Sequence, residues 1–138
     1  MKVAITTHGR RGDSLVDGCL RTASLLAIYN PVGDDWVHFD NVNVPYNARE
    51  KTVVEQILDS KAVALITGFI GTRAFKRLSP NGVHVYFAVE MKVIDALTLY
   101  RQGELKRLSV ANAIDLPLKT YRKYGLGDEY HGNTIPTN

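Results

Sequence analysis

Cys19, the sole cysteine of the chain, is the residue with the sharpest chemistry. A thiolate is a strong ligand for copper(I), zinc and iron–sulfur clusters. Arg10, Arg11 and Arg21 stand near it in sequence and would favour the thiolate and balance an anionic guest. The competing role for Cys19 is a small apolar side chain packed under a loop. One cysteine cannot complete a closed zinc site, which usually takes four protein ligands. It could supply one ligand to a preformed cluster, or sit at the axis of a homodimer as half of a pair. His8 is the candidate second metal ligand, with a loop histidine bonded to backbone as the alternative. His38 and His84 fall inside strand-like segments where packing or half-exposure suffices, and His131 lies in a polar tail. No His-x-x-x-His or Cys-x-x-Cys spacing occurs, so no motif supports a metal site closed within the chain.

A second group is Gly68-Phe69-Ile70-Gly71, which opens a helix. Glycines let a backbone approach a ligand, and a helix N-terminus favours negative charge. The stretch lacks the Lys-Ser/Thr ending of a phosphate loop, so a tight strand-to-helix turn explains the glycines equally well. Arg73, Lys76 and Arg77 share a helix face, as a solvated charged surface or as a patch for an acidic partner.

The elements that must position these residues follow from periodicity. Lys2–Thr7, Ala23–Tyr29, Trp36–Asp40, Ala62–Thr67 and Val83–Val89 read as strands. The second and third are joined by turn residues, Asn30 to Asp35, into an antiparallel hairpin. Glu50–Leu58, a segment capped by Thr72 and carrying Ala74, Phe75 and Leu78, and Met91–Gln102 read as helices, with Gly103 placed as the residue after the last. The order β-β-β-α-β-α-β-α predicts an antiparallel meander followed by parallel strands: a mixed five-stranded α/β sheet with helices on its faces. Residues 1–108 are expected to form the domain. Residues 109–138 are expected to form an extension, docked through Ile114, Leu116 and Leu118 and loose after about residue 128.

The chain has 138 residues, 45% hydrophobic and 22% charged, with a net charge of +3. Those values fit one globular domain and exclude wholesale disorder or coiled coil. The charge is too weak to argue for nucleic acid. No apolar run has the length of a membrane span. The first residues lack the basic-then-apolar pattern of an export signal, and a lone thiol suits a reducing compartment, so the expected setting is cytoplasmic.

Three stretches carry a resemblance. They are Met1-Lys-Val-Ala-Ile-Thr leading into Asp13-Ser-Leu-Val-Asp17 and Ala23–Tyr29; Val63-Ala-Leu-Ile-Thr-Gly-Phe-Ile-Gly-Thr-Arg-Ala-Phe75; and Gly82-Val-His-Val-Tyr86 with Glu90 and the helix ending Tyr100-Arg-Gln-Gly-Glu-Leu105. Over about residues 1–108 the chain resembles the dinitrogenase iron–molybdenum cofactor biosynthesis family. The resemblance implies a ribonuclease-H-like fold with strand order 3-2-1-4-5. It also implies binding or delivery of a metal–sulfur cluster rather than catalysis. Nitrogenase-type members carry histidine, and small archaeal relatives more often arginine, where this chain has Cys19. Arg21 and Thr22 stand where Gly-Arg is usual, and Tyr46-Asn-Ala-Arg-Glu-Lys51 replaces a glycine-rich approach to the first helix.

With that strand order, the loops His8–Leu20 and Gly68–Thr72 and the end of the fifth strand near Glu90 converge at the switch point, where open α/β sheets bind ligands. Nucleases of this fold hold two magnesium ions on carboxylates of the first and fourth strands. Neither segment has one here. The expected protein is therefore a non-enzymatic accessory protein that binds or carries an iron- or molybdenum-containing metal–sulfur cluster or its precursor. Cys19 and His8 would be ligands, Gly68, Phe69 and Gly71 would supply amides and shape, and Arg10, Arg11 and Arg21 would balance charge. The alternative is an interaction or regulatory module for an anionic small molecule or an acidic partner.

Overall fold

In the computed structural model, which describes residues 1–113, β1 (Val3–Thr7) is buried along its whole length, as a central strand covered on both faces must be. It pairs antiparallel with β2 (Leu25–Asn30), and β2 pairs antiparallel with β3 (Asp35–Asp40). On its other side β1 pairs parallel with β4 (Ala64–Thr67), and β4 pairs parallel with β5 (His84–Phe87). The expected order 3-2-1-4-5 is present, and the expected count of five strands is corrected to six. Lys106–Arg107 forms a short β6 antiparallel to β5. Two exposed residues carry no periodicity, so nothing in the sequence pattern announces this strand.

Two cores lie on the two faces of the sheet. On one face α1 (Tyr46–Ser60) and α2 (Thr72–Leu78) pack Val53, Val54, Ile57, Ala74 and Leu78 against Ala4, Leu26, Leu65 and Val85, and Leu108 closes the edge. On the other, α3 (Val93–Arg101) packs Val93, Ala96 and Leu97 against Val3, Ile5, Ala64 and Ile66. Each of the Val, Leu and Ile side chains contributes about 1.5–3 kcal/mol on full burial. Gly103 has φ +73, the left-handed conformation that suits glycine just past a helix. Thr72 is the first residue of α2 rather than its cap, which is Gly71.

α1 starts at Tyr46, earlier than its apolar stripe indicates, because its first turn is held by a charged side chain. Arg49 is 7% exposed. Its guanidinium donates to the carbonyls of Thr22 (3.1 Å), Val42 (3.0 Å) and Val44 (2.8 and 3.1 Å), with its carbon 4.6 Å from the centre of the Tyr46 ring. A planar fork can saturate these diverging carbonyls and a lysine ammonium cannot. Arg49→Lys is expected to lower stability by about 2 kcal/mol in urea denaturation, because buried carbonyls lose their donors. A change within about 0.5 kcal/mol would show that water replaces the fork at no cost.

The chain after β6 returns to the loop that follows β4. Asn112 accepts the Ile70 N–H on its side-chain oxygen at 2.8 Å, and the N–H groups of Asn112 and Ala113 both donate to the Ile70 carbonyl at 3.1 Å. The docking expected of Ile114, Leu116 and Leu118, and the looseness expected after residue 128, lie outside the described residues.

Candidate functional site

The long loop after β1 is laced to two neighbouring loops. The Asp17 N–H donates to the Thr6 carbonyl (2.8 Å), the Gly68 N–H to the Asp17 carbonyl (3.0 Å), the Phe69 N–H to the Gly18 carbonyl (2.8 Å) and the Leu20 N–H to the Phe69 carbonyl (3.0 Å). Farther out, the Val16 N–H donates to the Met91 carbonyl (2.8 Å), and the first amides of α3, Val93 and Ile94, donate to Ser14 (2.8 Å) and Gly12 (3.0 Å). The three loops expected to meet at the carboxyl ends of the central strands do meet there.

This lacing reassigns several residues. Cys19, expected as a ligand with packing under a loop as the competing role, is 3% exposed, in extended backbone bridged to Phe69. A thiol buried this way within one chain meets neither a guest nor a dimer axis unless the loops open. His8 is exposed while Cys19 is inside. The Gly68 and Phe69 amides are engaged within the fold rather than turned towards a ligand. Gly68 is glycine for another reason, since a Cβ there would lie 2.2 Å from the Gly18 carbonyl oxygen. At Gly71 a Cβ would meet nothing within 4 Å, and its carbonyl accepts the Phe75 N–H. Arg21 is exposed in a 3-10 turn, Leu20–Thr22.

Asp17 lies in the same loop and is 1% exposed. Its carboxylate caps the Cys19 N–H at 3.2 Å. Burial pushes its carboxyl up to about 7, against the downward pull of the Cys19 N–H, the Arg49 charge and the Gly18 N–H. Thr6 and Thr67 share a 2.6 Å hydrogen bond at the ends of β1 and β4. These groups hold the loops together and present no open surface.

An open feature lies on the α3 face of the sheet. A cavity of about 280 Å³ is floored by Thr7 and Ala27, walled by Trp36 and His38 of β3 and by Val93 and Ile94 of α3, and bordered by the Gly9–Gly12 stretch with Arg10 and Arg11. Alternation along β3 sends Trp36 and His38 to the same side, and register places His38 beside Ala27. The two rings stack with centroids 6.2 Å apart and planes 13° apart, and Trp36 leans on Tyr29 at 4.7 Å. Tyr29 is itself fixed, donating to Asp34 at 2.7 Å and accepting from Arg101. Burial, and secondarily the charge of Arg10, lowers the pKa of His38 and so favours its neutral imidazole.

Arg10 and Arg11 have exposed carboxylate partners, Asp40 at 3.7 Å and Asp13 at 3.1 Å. Exposed pairs contribute about 0–1 kcal/mol, so either guanidinium can turn to an anion in the cavity at little cost. Sequence reading singled out both arginines but missed their company. The strand that carries Trp36 and His38 was legible, whereas the closeness of β3 to the 9–12 loop depends on the β1–β2–β3 register.

Among the described residues no group of three or more His, Cys, Asp or Glu side chains is placed to hold a metal ion. β1 and β4 carry no carboxylate for a two-metal centre. Among the described residues, no helix is long and apolar enough to cross a membrane.

The family model described as dinitrogenase iron-molybdenum cofactor matches residues 1–103. No curated protein gives a match. Among solved structures, the apo form of the orange protein from Desulfovibrio gigas is similar, with TM-score 0.73 and 22% identity, covering 80% of this chain and 95% of that one. A Thermotoga protein provisionally called NifB gives TM-score 0.71 and 24% identity, with 82% and 97% covered. A Methanocaldococcus jannaschii protein provisionally called a dinitrogenase gives TM-score 0.60 and 19% identity, with 80% and 96% covered. At these identities the structural likeness establishes the shared fold.

Proposed function

Since the chain belongs to the dinitrogenase iron–molybdenum cofactor family, we propose that it is an accessory protein that carries an anionic metal–sulfur cluster, or a precursor of one, in the cavity between β3, the 9–12 loop and the start of α3. The observation that carries this reading is the lining itself: two arginines with weak surface partners beside an imidazole and an indole, at the carboxyl end of β1. Arg10 and Arg11 balance the negative charge of the cargo. His8 is at the exposed end of the same loop, and neither it nor Arg21 lines the cavity. Cys19, Gly68 and Phe69 serve by holding the loops in place, and Gly71 starts α2. A carrier must also release what it holds. Charge balance with few covalent attachments suits delivery, whereas a closed multi-ligand site suits retention.

The test is anaerobic incubation of the full chain with iron(II), sulfide and molybdate, followed by gel filtration and metal analysis. Wild-type protein is expected to retain metal and sulfide with a visible absorption band. Arg10→Glu/Arg11→Glu is expected to lose most of it, about tenfold or more, because two favourable charges become repulsive. Metal-free wild-type protein after this treatment, or undiminished uptake by the double variant, would overturn the reading.

A further inference from the structure

We infer that His38 is the protein ligand to a metal of the carried cluster, its imidazole nitrogen entering the cavity from the β3 wall. This rests on the carrier reading above and assigns the attachment point that the reading leaves open. Three observations lead to it. His38 lines the cavity, whereas Cys19 is shut beneath the loops. Its ring is oriented before any guest arrives, because it stacks on Trp36, and Trp36 rests on a Tyr29 tethered at its hydroxyl to Asp34 and Arg101. A ring held in place loses less freedom on binding than an exposed loop histidine such as His8. Finally, its neighbours are Arg10 and Arg11. Two guanidiniums recognise the sulfido face of an anionic cluster and offer no lone pair to a metal, so one neutral nitrogen donor completes the set.

The step is a ligand exchange. The imidazole nitrogen donates its lone pair to one metal, and a terminal ligand, water or a thiolate, leaves that metal with its own electron pair. No oxidation state changes. A single nitrogen bond is reversible in the same manner, which fits cargo that must be handed on.

The experiment again uses the full chain with iron(II), sulfide and molybdate under anaerobic conditions. His38→Ala and His38→Gln are expected to weaken uptake at least about tenfold, while His8→Ala and Cys19→Ala bind as wild type does. A second measurement does not depend on losing function. His8→Ala/His84→Ala/His131→Ala leaves His38 as the sole histidine of the four. Its loaded form should keep the outer-shell imidazole scattering at the iron or molybdenum X-ray absorption edge. Undiminished uptake by both His38 variants, or loss of the imidazole signal in the triple variant, overturns the ligand assignment and leaves the carrier reading intact. Absence of uptake by wild-type protein overturns both.

Discussion

Replacing Gly68 by alanine is expected to cost about 3 kcal/mol or more of stability, far beyond the fraction of a kcal/mol that a surface loop position usually costs. The added Cβ would lie 2.2 Å from the Gly18 oxygen, 2.4 Å from its carbonyl carbon and 2.7 Å from its Cα. All three are backbone atoms, so no flexible side chain can swing aside. The loops would have to separate, and the bonds from Gly68 to Asp17, Phe69 to Gly18 and Leu20 to Phe69 would stretch together. The opening would also unroof Cys19. Gly68→Ala should therefore show two linked effects: a lowered urea midpoint, and a Cys19 thiol that reacts with a disulfide reagent well before global unfolding. Wild-type stability with a thiol still slow to react would mean that the backbone absorbs the methyl group elsewhere.

Stability is expected to fall as the pH rises from about 4 to about 7, through the titration of Asp17. Its carboxyl is near 3.8 when solvated and about 7 in the folded chain. Between those values the folded state keeps a proton that the unfolded state has released. Folding is then favoured by acid, with a slope of about 1.4 kcal/mol per pH unit and a total on the order of 4 kcal/mol. The contribution is fully present below the unfolded value and gone above the folded one. Asp17→Asn keeps an acceptor for the Cys19 N–H and removes the charge. It should flatten this dependence and leave the variant more stable than wild type at about pH 8. Urea unfolding of both proteins at about pH 4, 6 and 8 checks this. Parallel curves would show that Asp17 titrates alike in the folded and unfolded chain, and a wild type that gains on the Asn variant as pH rises would show that the buried group is needed as a carboxylate; either overturns this prediction.

The central strands were legible because β1, β2 and β4 are buried apolar runs bounded by turn residues, and the pattern separated an antiparallel half from a parallel one, whereas the order 3-2-1-4-5 came from the family resemblance. What escaped the pattern was set by polar groups acting at a distance in sequence. The first turn of α1 depends on Arg49 reaching carbonyls of two other segments, and β6 on a pairing with β5 too short to leave a period. The same cause divides the site. Arg10 and Arg11 could be read from their types. The interior position of Cys19 and Asp17 could not, because a loop residue goes inside only when another loop covers it, and the covering bonds come from Gly68 and Phe69, some fifty residues on. Gly68 was recognised as a place of close approach, but what approaches is the chain's own backbone at Gly18. Trp36 and His38 were legible as strand residues, without any local indication that their side of β3 faces a cavity.

β6 gives the family match an unexpected practical boundary. The match ends at residue 103, but the sheet does not: Lys106 and Arg107 cover Phe87 and Tyr86, and Leu108 fills the core beside them. A chain stopped at the end of the match would present half of β5 as an open, aromatic-bearing edge, the kind of template on which copies add to one another. At the opposite margin, β3 has Asp35 and Asp40 at its two ends, which discourage such addition. The short downstream strand therefore covers the margin of the sheet that lacks acidic residues at its ends, and leaves two residues rather than an aromatic pair as the outermost edge.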